Sequence, residues 1–348
     1  MKAALLYGIN DLRLEDIDVP VIGDDEMLVK NRKSFVCGTD VRMLKNGNKN
    51  IAPGKGLVIG HEFSGVIEKM GKNVTGFSKG DRVFIAPNIG CGTCFYCISG
   101  NSHMCNDYQA FGIHINGGFS EYTKIPGKAI LHGNVIKLSN SISFSEAALV
   151  EPFSCVYNGF ERAQIHAGDT VLIQGAGPIG IMHAKLAKMA GASKIIVSDV
   201  LAERLEVVKN IDTAFITVLS GDVKKEVEII TGKTGIDVSI TACPSPEAQA
   251  LAVELGAVNG RIIFFGGLPE SRQMVPINTN IIHYKQLIIS GTSKASPTQI
   301  HKSIRLLESN LIQLKDLISA EFPISQVGLA FDKAIEAKGL KYGITFEQ

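Results

Sequence analysis

Four cysteines fall within one short stretch of the chain, at Cys91, Cys94, Cys97 and Cys105. Four thiolates in tetrahedral geometry form the closed coordination shell of a structural zinc ion. The alternatives are an iron–sulfur centre, which cysteine thiolates also bind, and free cysteines buried in the core. We therefore predict a structural zinc site in the lobe formed by residues 90–105.

A second group of metal-binding side chains is dispersed: Cys37, His61, Glu62 and Glu151. Each has an ordinary explanation when taken alone, such as a buried thiol or a hydrogen-bonded core histidine. The same chain contains a nucleotide-binding pattern, described next. In that context, thiolate, imidazole and carboxylate ligands together make a zinc site that keeps one position open for water or a substrate oxygen. The group predicts a second, catalytic zinc ion, for which either carboxylate is a candidate ligand.

A glycine-rich turn, Gly175-Ala-Gly-Pro-Ile-Gly180, follows the apolar run 171–174 and begins a helical pattern over 178–190. Such a turn brings backbone N–H groups and a helix N-terminus close to the pyrophosphate of a dinucleotide. Asp199 follows Gly180 by nineteen residues, where a carboxylate accepts hydrogen bonds from a ribose diol and repels a 2′-phosphate. We therefore predict NAD rather than NADP. The alternative is a plain turn, with Asp199 as a helix cap.

Two further positions complete the predicted dinucleotide site. Arg204 either lies against the adenine or the ribose diol, or extends into solvent from a helix. The backbone at Leu268, after the fifth apolar run, is predicted to face the nicotinamide half. The full predicted set is Gly175, Gly177, Pro178, Ile179, Gly180, Asp199, Arg204 and Leu268.

Two kinds of sequence pattern position these residues. Residues 1–140 contain short strand patterns separated by Gly, Asn, Asp and Pro, which predict an irregular β domain. Ser143 and Glu146 form a capping-box pattern that starts a helix leading out of it. Apolar runs then alternate with helical patterns, at 171–174, 194–199, 214–218, 237–242, 261–266 and 286–291. This alternation predicts an α/β fold with a doubly wound parallel sheet, and we expect the tail, with a helix over 297–309, to pack on the first domain.

Length and charge exclude several classes of protein. The 348 residues suggest two domains, and a net charge of +1 provides no overall basic field for nucleic acid or an acidic membrane. Residues 90–105 contain no Lys or Arg, which argues against a nucleic-acid zinc ribbon. No apolar run approaches the ~18 residues of a membrane span, and Asp11 comes too early for a signal peptide. We therefore expect a cytoplasmic protein, in which seven cysteines favour metal binding over disulfides.

Several of these motifs occur together in an order that resembles one family. They are CGTD at 37–40, GHEFSG at 60–65, GDRV at 80–83, the four-cysteine lobe, GGFSEY at 117–122, EP at 151–152, GAGPIG at 175–180 and AFDKA at 330–334. In this combination the chain is similar, over essentially its whole length, to the zinc-containing medium-chain dehydrogenase/reductase family.

The resemblance implies an architecture and an activity. It implies a GroES-like catalytic domain at 1–150, completed by 292–348, and a Rossmann domain at 151–291, with the active site in the cleft between them. Glu151 stands where primary alcohol dehydrogenases have a cysteine as the third zinc ligand, and a glutamate at this position is typical of the polyol and secondary-alcohol branch. The implied reaction is oxidation of a secondary alcohol of a polyol or sugar alcohol, free or phosphorylated, by hydride transfer to NAD, with threonine or butanediol as alternative substrates. A small-molecule substrate and a homodimer or homotetramer are also implied.

Within the resemblance, Thr39, Glu62 and Glu151 are the predicted catalytic residues. Thr39 would accept the alcohol proton, but the histidine that usually ends the relay is replaced by Arg42, which stays protonated in proteins. The relay then ends at solvent after the cofactor ribose, or uses a carboxylate through water at the metal, and Arg42 faces the cofactor or an anionic substrate. A non-catalytic NAD-binding protein is the alternative of another class. Three more side chains are not predicted to bind metal. Cys155 and Cys243 are expected to be core residues, and His114 a loop residue or a substrate contact.

Overall fold

The computed structural model describes residues 1–346. Its contacts divide the chain into two compact units: unit 1 comprises Met1–Ser154 with the segment from Ala295 onward, and unit 2 comprises Cys155–Lys294. None of the helices formed by residues 1–346 combines the length and the apolar character that crossing a bilayer requires.

The first part of the chain is rich in short strands. Its elements are β1 (Lys2–Gly8), β2 (Asp11–Asp16), β3 (Met27–Phe35), α1 (Gly38–Asn46), β4 (Leu57–Val58), β5 (Glu62–Met70), β6 (Arg82–Ile85), β7 (Asn88–Ile89), α2 (Phe95–Ile98), β8 (Gln109–Ala110), β9 (Tyr122–Ile125), α3 (Gly127–Leu131), β10 (Val135–Lys137), α4 (Phe144–Ala148) and α5 (Val150–Ala163).

Strands and helices then alternate. These elements are β11 (Thr170–Gln174), α6 (Pro178–Met189), β12 (Lys194–Asp199), α7 (Ala202–Ile211), β13 (Phe215–Leu219), α8 (Val223–Thr231), β14 (Ile236–Thr241), α9 (Pro246–Leu255), β15 (Gly256–Phe264), α10 (Thr279–Lys285) and β16 (Ile288–Gly291). The chain continues with α11 (Pro297–Glu308), β17 (Ile318–Pro323), α12 (Val327–Glu336) and β18 (Lys341–Thr345).

The largest sheet of unit 1 is built around β3. Its order is β10-β6-β5-β3-β18-β17, with β9 also paired to β3. At the carboxyl end of β3, Phe35 is paired with Glu62 of β5 on one side and with Gly343 of β18 on the other. Cys37 follows two residues later, so the sheet register alone brings three distant parts of the sequence to one place.

The sheet of unit 2 is parallel throughout, as the alternating pattern predicts. Its order is β13-β12-β11-β14-β15-β16, and every neighbouring pair is parallel. The strand order reverses between β11 and β14, and in open α/β sheets this switch point is where ligands bind, beyond the carboxyl ends of the strands. The core of unit 2 includes buried aliphatic side chains such as Leu172, Ile196 and Val218.

Two predicted elements are wrong in their bounds. Residues 118–125 (GFSEYTKI) are one of the strand patterns of the predicted β domain. They form a strand only over Tyr122–Ile125, because the backbone of Gly117, Gly118 and Phe119 instead donates to the carbonyls of residues 58–60. The run at 261–266 begins earlier, at Gly256, because Gly256 already pairs with Ile236 before a register shift.

The predicted helix after Ser143 is divided into α4 and α5. Ser143 accepts a hydrogen bond from the Glu146 N–H and so caps α4, as the pattern indicates. Pro152 has no N–H for the carbonyl four residues earlier, which favours a helix end before it and a new first turn that includes it. Glu151 is therefore carried on the first turn of α5.

Candidate active site

Cys37, His61 and Glu62 come together in unit 1. One possible ligand atom from each side chain lies within 4.8 Å of the other two. Cys37 is the N-cap residue of α1, while His61 and Glu62 stand at the beginning of β5. A thiolate, an imidazole and a carboxylate at this spacing fit a zinc ion.

Asp40 stands behind His61. Its Oδ1 lies 3.3 Å from His61 Nδ1, and its Oδ2 accepts a hydrogen bond of 2.9 Å from the Cys37 N–H. One buried carboxylate thus faces two members of the cluster, the arrangement that holds metal-binding histidines in place. Burial alone would lower the pKa of His61, but the charges of Asp40 and Cys37 outweigh it and hold this pKa well above its usual range. A metal ion must displace that proton in order to bind.

The segment before His61 is held by a second loop. Gly117 and Gly118 donate backbone hydrogen bonds to the carbonyls of Val58 and Gly60. A Cβ at Gly117 would lie 2.0 Å from the Gly60 carbonyl oxygen, so only glycine permits this approach. The GGFSEY motif therefore positions His61 through its glycines.

Glu62 is paired with Lys341, which the sequence analysis missed. The Lys341 ammonium donates to Glu62 Oε1 at 2.8 Å, to Oε2 at 2.5 Å and to the Val36 carbonyl at 3.0 Å. Lys341 is the first residue of β18, and the only available signal was a lysine beginning an otherwise apolar strand. Burial raises the pKa of Glu62 to about 7, with Lys341 opposing this and Glu151 adding to it.

Glu151 lies near this pair. It is 9% exposed, and its charge acts on both Glu62 and Lys341. Its carboxylate does not belong to the group whose ligand atoms all approach within 4.8 Å, so Glu62 is the carboxylate nearer to Cys37 and His61. With Asp40, the site therefore contains three buried carboxylates and one buried ammonium.

Thr39 and Arg42 lie one turn apart on α1. The Arg42 Nη2 donates to Thr39 Oγ1 at 3.2 Å. Thr39 follows Cys37 by two residues. Arg42 therefore contacts the hydroxyl predicted to receive the alcohol proton.

The four cysteines of the lobe converge as predicted. The sulfur atoms lie 3.6 Å apart between Cys94 and Cys97, 3.7 Å between Cys94 and Cys105, and 3.9 Å between Cys91 and Cys97. With zinc–sulfur bonds of about 2.3 Å, the edge of a tetrahedron is about 3.8 Å. This spacing suits a single ion, and a cluster of several iron atoms needs more room.

The lobe also favours thiolate at one position. Backbone N–H groups of Thr93 and Cys94 lower the pKa of Cys91 to about 5, whereas burial raises the pKa of Cys97 to about 12. A metal ion favours the deprotonated form of each ligand. The lowered pKa of Cys91 therefore favours its thiolate before a metal ion binds, whereas Cys97 needs the ion in order to ionise.

The glycine turn of unit 2 joins β11 to α6. Gly175 has a φ of 118°, and a Cβ at Gly180 would lie 1.7 Å from the Gly175 carbonyl oxygen. Gly177 is the N-cap of α6, and a Cβ there would meet nothing within 4 Å. The first and third glycines are thus required by the backbone, while the second leaves open space at the helix N-terminus; Pro178 and Ile179 form the first turn beside it.

Asp199 ends β12 beside this turn. Its Oδ2 accepts a hydrogen bond of 2.8 Å from the Ala176 N–H, and its Oδ1 accepts one of 3.0 Å from the Leu201 N–H. Arg204 Nη1 lies 3.6 Å from the same carboxylate. Leu268 lies four residues beyond the end of β15 and is half-buried.

Three residues outside the two clusters have distinct surroundings. Cys155 and Cys243 are half-buried, so their assignment to the core is wrong. Cys243 follows β14, and its Cβ would lie 3.3 Å from a Cβ on Gly175, because the carboxyl ends of parallel strands leave side chains at the sheet edge. His114 Nδ1 accepts a hydrogen bond of 3.1 Å from the Ala110 N–H, which favours a role within its loop.

These features define a class, the metal-dependent oxidoreductases that bind a dinucleotide. Two family models match the chain: the alcohol dehydrogenase GroES-like domain over residues 23–135 and the zinc-binding dehydrogenase over residues 178–309. The sorbitol dehydrogenase of Bacillus subtilis is 32% identical over 341 residues, which cover 97% of this chain and 94% of that protein. The L-threonine 3-dehydrogenase of Bacillus velezensis is 33% identical over 327 residues, covering 92% of this chain and 91% of that protein.

Solved structures agree with this result. A structure described as an alcohol dehydrogenase of Escherichia coli CFT073, in complex with NADH, has a TM-score of 0.89 at 29% identity and covers 99% of each chain. A zinc-binding dehydrogenase structure from Sinorhizobium meliloti 1021, bound to NADP, has a TM-score of 0.88 at 27% identity and covers 99% of this chain and 98% of that one. The chain belongs to the zinc-containing medium-chain dehydrogenase/reductase family, and within it to the zinc-dependent alcohol and polyol dehydrogenases.

Proposed function

We propose that this protein oxidises a secondary alcohol of a polyol or sugar alcohol and transfers the hydride to NAD. The observation that carries the proposal is the buried cluster of Cys37, His61 and Glu62, with Glu151 beside it. A glutamate at position 151 is what the resemblance to the polyol branch implies. The relative from Bacillus subtilis, named sorbitol dehydrogenase, supports the same substrate class.

The two clusters would hold two zinc ions per chain. Cys37 and His61, with Glu62 or Glu151, would hold the catalytic ion, and the four cysteines of the lobe the structural one. A zinc ion held at the first site would lower the pKa of a hydroxyl in contact with it, which would make deprotonation accessible near neutral pH. Lys341 opposes the rise in the pKa of the buried Glu62 carboxyl and so favours its charged form, which would place negative charge beside the metal position.

Thr39 would receive the alcohol proton. A hydroxyl oxygen has two acceptor lone pairs, and Arg42 occupies one of them. The other remains for the substrate hydroxyl. Because Arg42 stays protonated, the proton would pass on through the cofactor ribose to solvent, or to a carboxylate of the cluster. A bound NAD would accept the hydride from the carbinol carbon, and the backbone at Leu268 is the part of this chain expected to face its nicotinamide half.

Asp199 supports NAD over NADP. Its carboxylate is fixed beside the glycine turn by the Ala176 N–H, where it would accept hydrogen bonds from a ribose diol and repel a 2′-phosphate. Asp199→Ser should raise the NADP/NAD ratio of kcat/KM by about 10-fold or more, since Arg204 then faces the phosphate without a competing charge. Asp222→Ser, which removes an exposed carboxylate, is the control. A wild-type enzyme that prefers NADP would contradict this assignment.

Threonine oxidation is the second candidate, because a relative of 33% identity is named L-threonine 3-dehydrogenase. The zinc-loaded protein should be assayed with sorbitol, galactitol 1-phosphate, butanediol and threonine, beside elemental analysis of zinc per chain. We expect polyol turnover and two zinc ions. Preferred oxidation of threonine would replace the first candidate by the second, and a single zinc ion confined to the lobe would remove both. We also expect a homodimer or homotetramer, which sedimentation would test.

A further inference from the structure

Between Cys37 and His61, every charged side chain that follows Asp40 is basic. Residues 41–61 contain Arg42, Lys45, Lys49 and Lys55 and no Asp or Glu, in a chain with a net charge of only +1. All four side chains are exposed. Within the described residues 1–346, none of them has a carboxylate partner at ion-pair distance.

Several other exposed lysines of unit 1 do have carboxylate partners. Lys72 pairs with Asp24, Lys79 with Glu68 and Lys124 with Glu26, at 2.7–3.2 Å. The segment 41–61 differs from these places in containing no Asp or Glu at all, and it begins close to Cys37 in sequence and ends at His61.

Arg42 is the cation of this segment nearest to the chemistry. One of its five N–H donors contacts Thr39, which is two residues from Cys37. Gly38 stands one turn before Arg42 on α1, and a Cβ at Gly38 would meet nothing within 4 Å, so there is open space at that end of the helix. The N-terminal end of α1 adds a partial positive charge at the same place. An anion near the reacting hydroxyl would therefore meet a guanidinium with most of its donors available.

We propose that the alcohol substrate carries an anionic group, a phosphate monoester or a carboxylate, and that Arg42 binds it. The proposal rests on the proposed function, because it assigns the substrate class of the same site. The planar guanidinium fork binds carboxylate and phosphate through paired hydrogen bonds, and the three lysines add a field that attracts the anion. The pyrophosphate of the dinucleotide is the other anion that Arg42 could serve, and the experiment distinguishes the two.

The test compares matched substrates with the zinc-loaded enzyme at saturating NAD: galactitol with galactitol 1-phosphate, and sorbitol with sorbitol 6-phosphate. We expect kcat/KM for each phosphate ester to exceed that of its neutral partner by about 10-fold or more. Arg42→Gln should reduce this preference by about 10- to 100-fold, mainly through KM, since a hydrogen bond to a charged group is lost. Arg42→Lys should keep part of the preference. Lys225→Gln, which removes an exposed cation from α8, should keep all of it.

Two kinetic results would overturn the proposal while the proposed function stands: equal kcat/KM for the ester and its neutral partner, or an Arg42→Gln variant whose KM changes only for NAD. If no polyol is oxidised, the proposed function fails instead. Calorimetric titration of galactitol 1-phosphate into the zinc- and NADH-loaded protein then tests whether Arg42 binds the anionic group. Binding that Arg42→Gln weakens supports an anion site, and the absence of binding refutes it.

Discussion

The Lys341 ammonium contacts both carboxylate oxygens of Glu62, although 279 residues separate the two in sequence. Lys341 is 5% exposed and Glu62 is fully buried. They meet because β18 and β5 are paired with opposite edges of β3. A buried charge pair of this kind is strongly affected by the loss of either partner.

Removing the ammonium should destabilise unit 1. Lys341→Met leaves the Glu62 charge buried without its partner, which costs about 3–5 kcal/mol in comparable pairs. The urea midpoint of unfolding measures the loss. The double variant Lys341→Met/Glu62→Gln should recover most of it, because no buried charge is then unpaired. A loss below about 1 kcal/mol in the single variant would contradict a charged pair.

Glu62 and Glu151, the two candidate carboxylate ligands, should each be needed for activity. Glu62→Gln and Glu151→Gln remove a negative charge from the metal position and should lower kcat/KM by about 10- to 100-fold, with weaker zinc retention. Steady-state kinetics and zinc analysis after dialysis measure the two effects. Glu203→Gln, on the exposed first turn of α7, is the matched control. If either variant kept wild-type turnover and full zinc content, the role of that residue would be withdrawn.

The lobe should bind its own zinc ion. In Cys97→Ser the thiolate ligand is lost, so zinc should fall from two ions per chain to about one and the melting temperature by roughly 5–10 °C. Cys155→Ser changes a half-buried thiol outside both clusters and should retain both ions. Unchanged metal content in Cys97→Ser would refute the assignment of the lobe.

His183 should make the stability of the protein sensitive to mild acid. Burial lowers the pKa of His183 to about 3, and neither ring nitrogen has a hydrogen-bond partner among residues 1–346. The unfolded chain binds a proton below about pH 6.5 that the folded protein does not bind until about pH 3. Stability is therefore lost as the pH falls through this window, by about 2 kcal/mol between pH 7 and 5.

The variant His183→Leu isolates this effect. Leucine fills the space beside Phe265, whose ring centroid lies 4.9 Å from that of His183, and it cannot take up a proton. Urea unfolding at pH 7 and pH 5 should show a smaller loss in the variant than in the wild type, while effects of the metal sites are common to both. Equal losses would mean that His183 does not titrate in this window.

The sequence by itself determined the features that depend on local spacing. The four cysteines, the glycine turn with Asp199 and each single strand–helix unit of the alternating pattern are encoded within about thirty residues, where periodicity and turn chemistry act directly. These patterns sufficed for the parallel sheet and for the convergence of the lobe sulfurs. They also sufficed to predict that Cys37, His61 and Glu62 belong to one site.

Only the tertiary structure decided which distant groups share that site. The pairing of Glu62 with Lys341 depends on β18 lying beside β3, and hydrophobic periodicity marks a strand without naming its neighbour in the sheet. That Cys243 is only half-buried depends in the same way on its position just beyond the end of β14, at the edge of the sheet. Contacts of this kind arise from the order of strands in a sheet, a property of the whole folded chain rather than of any one segment.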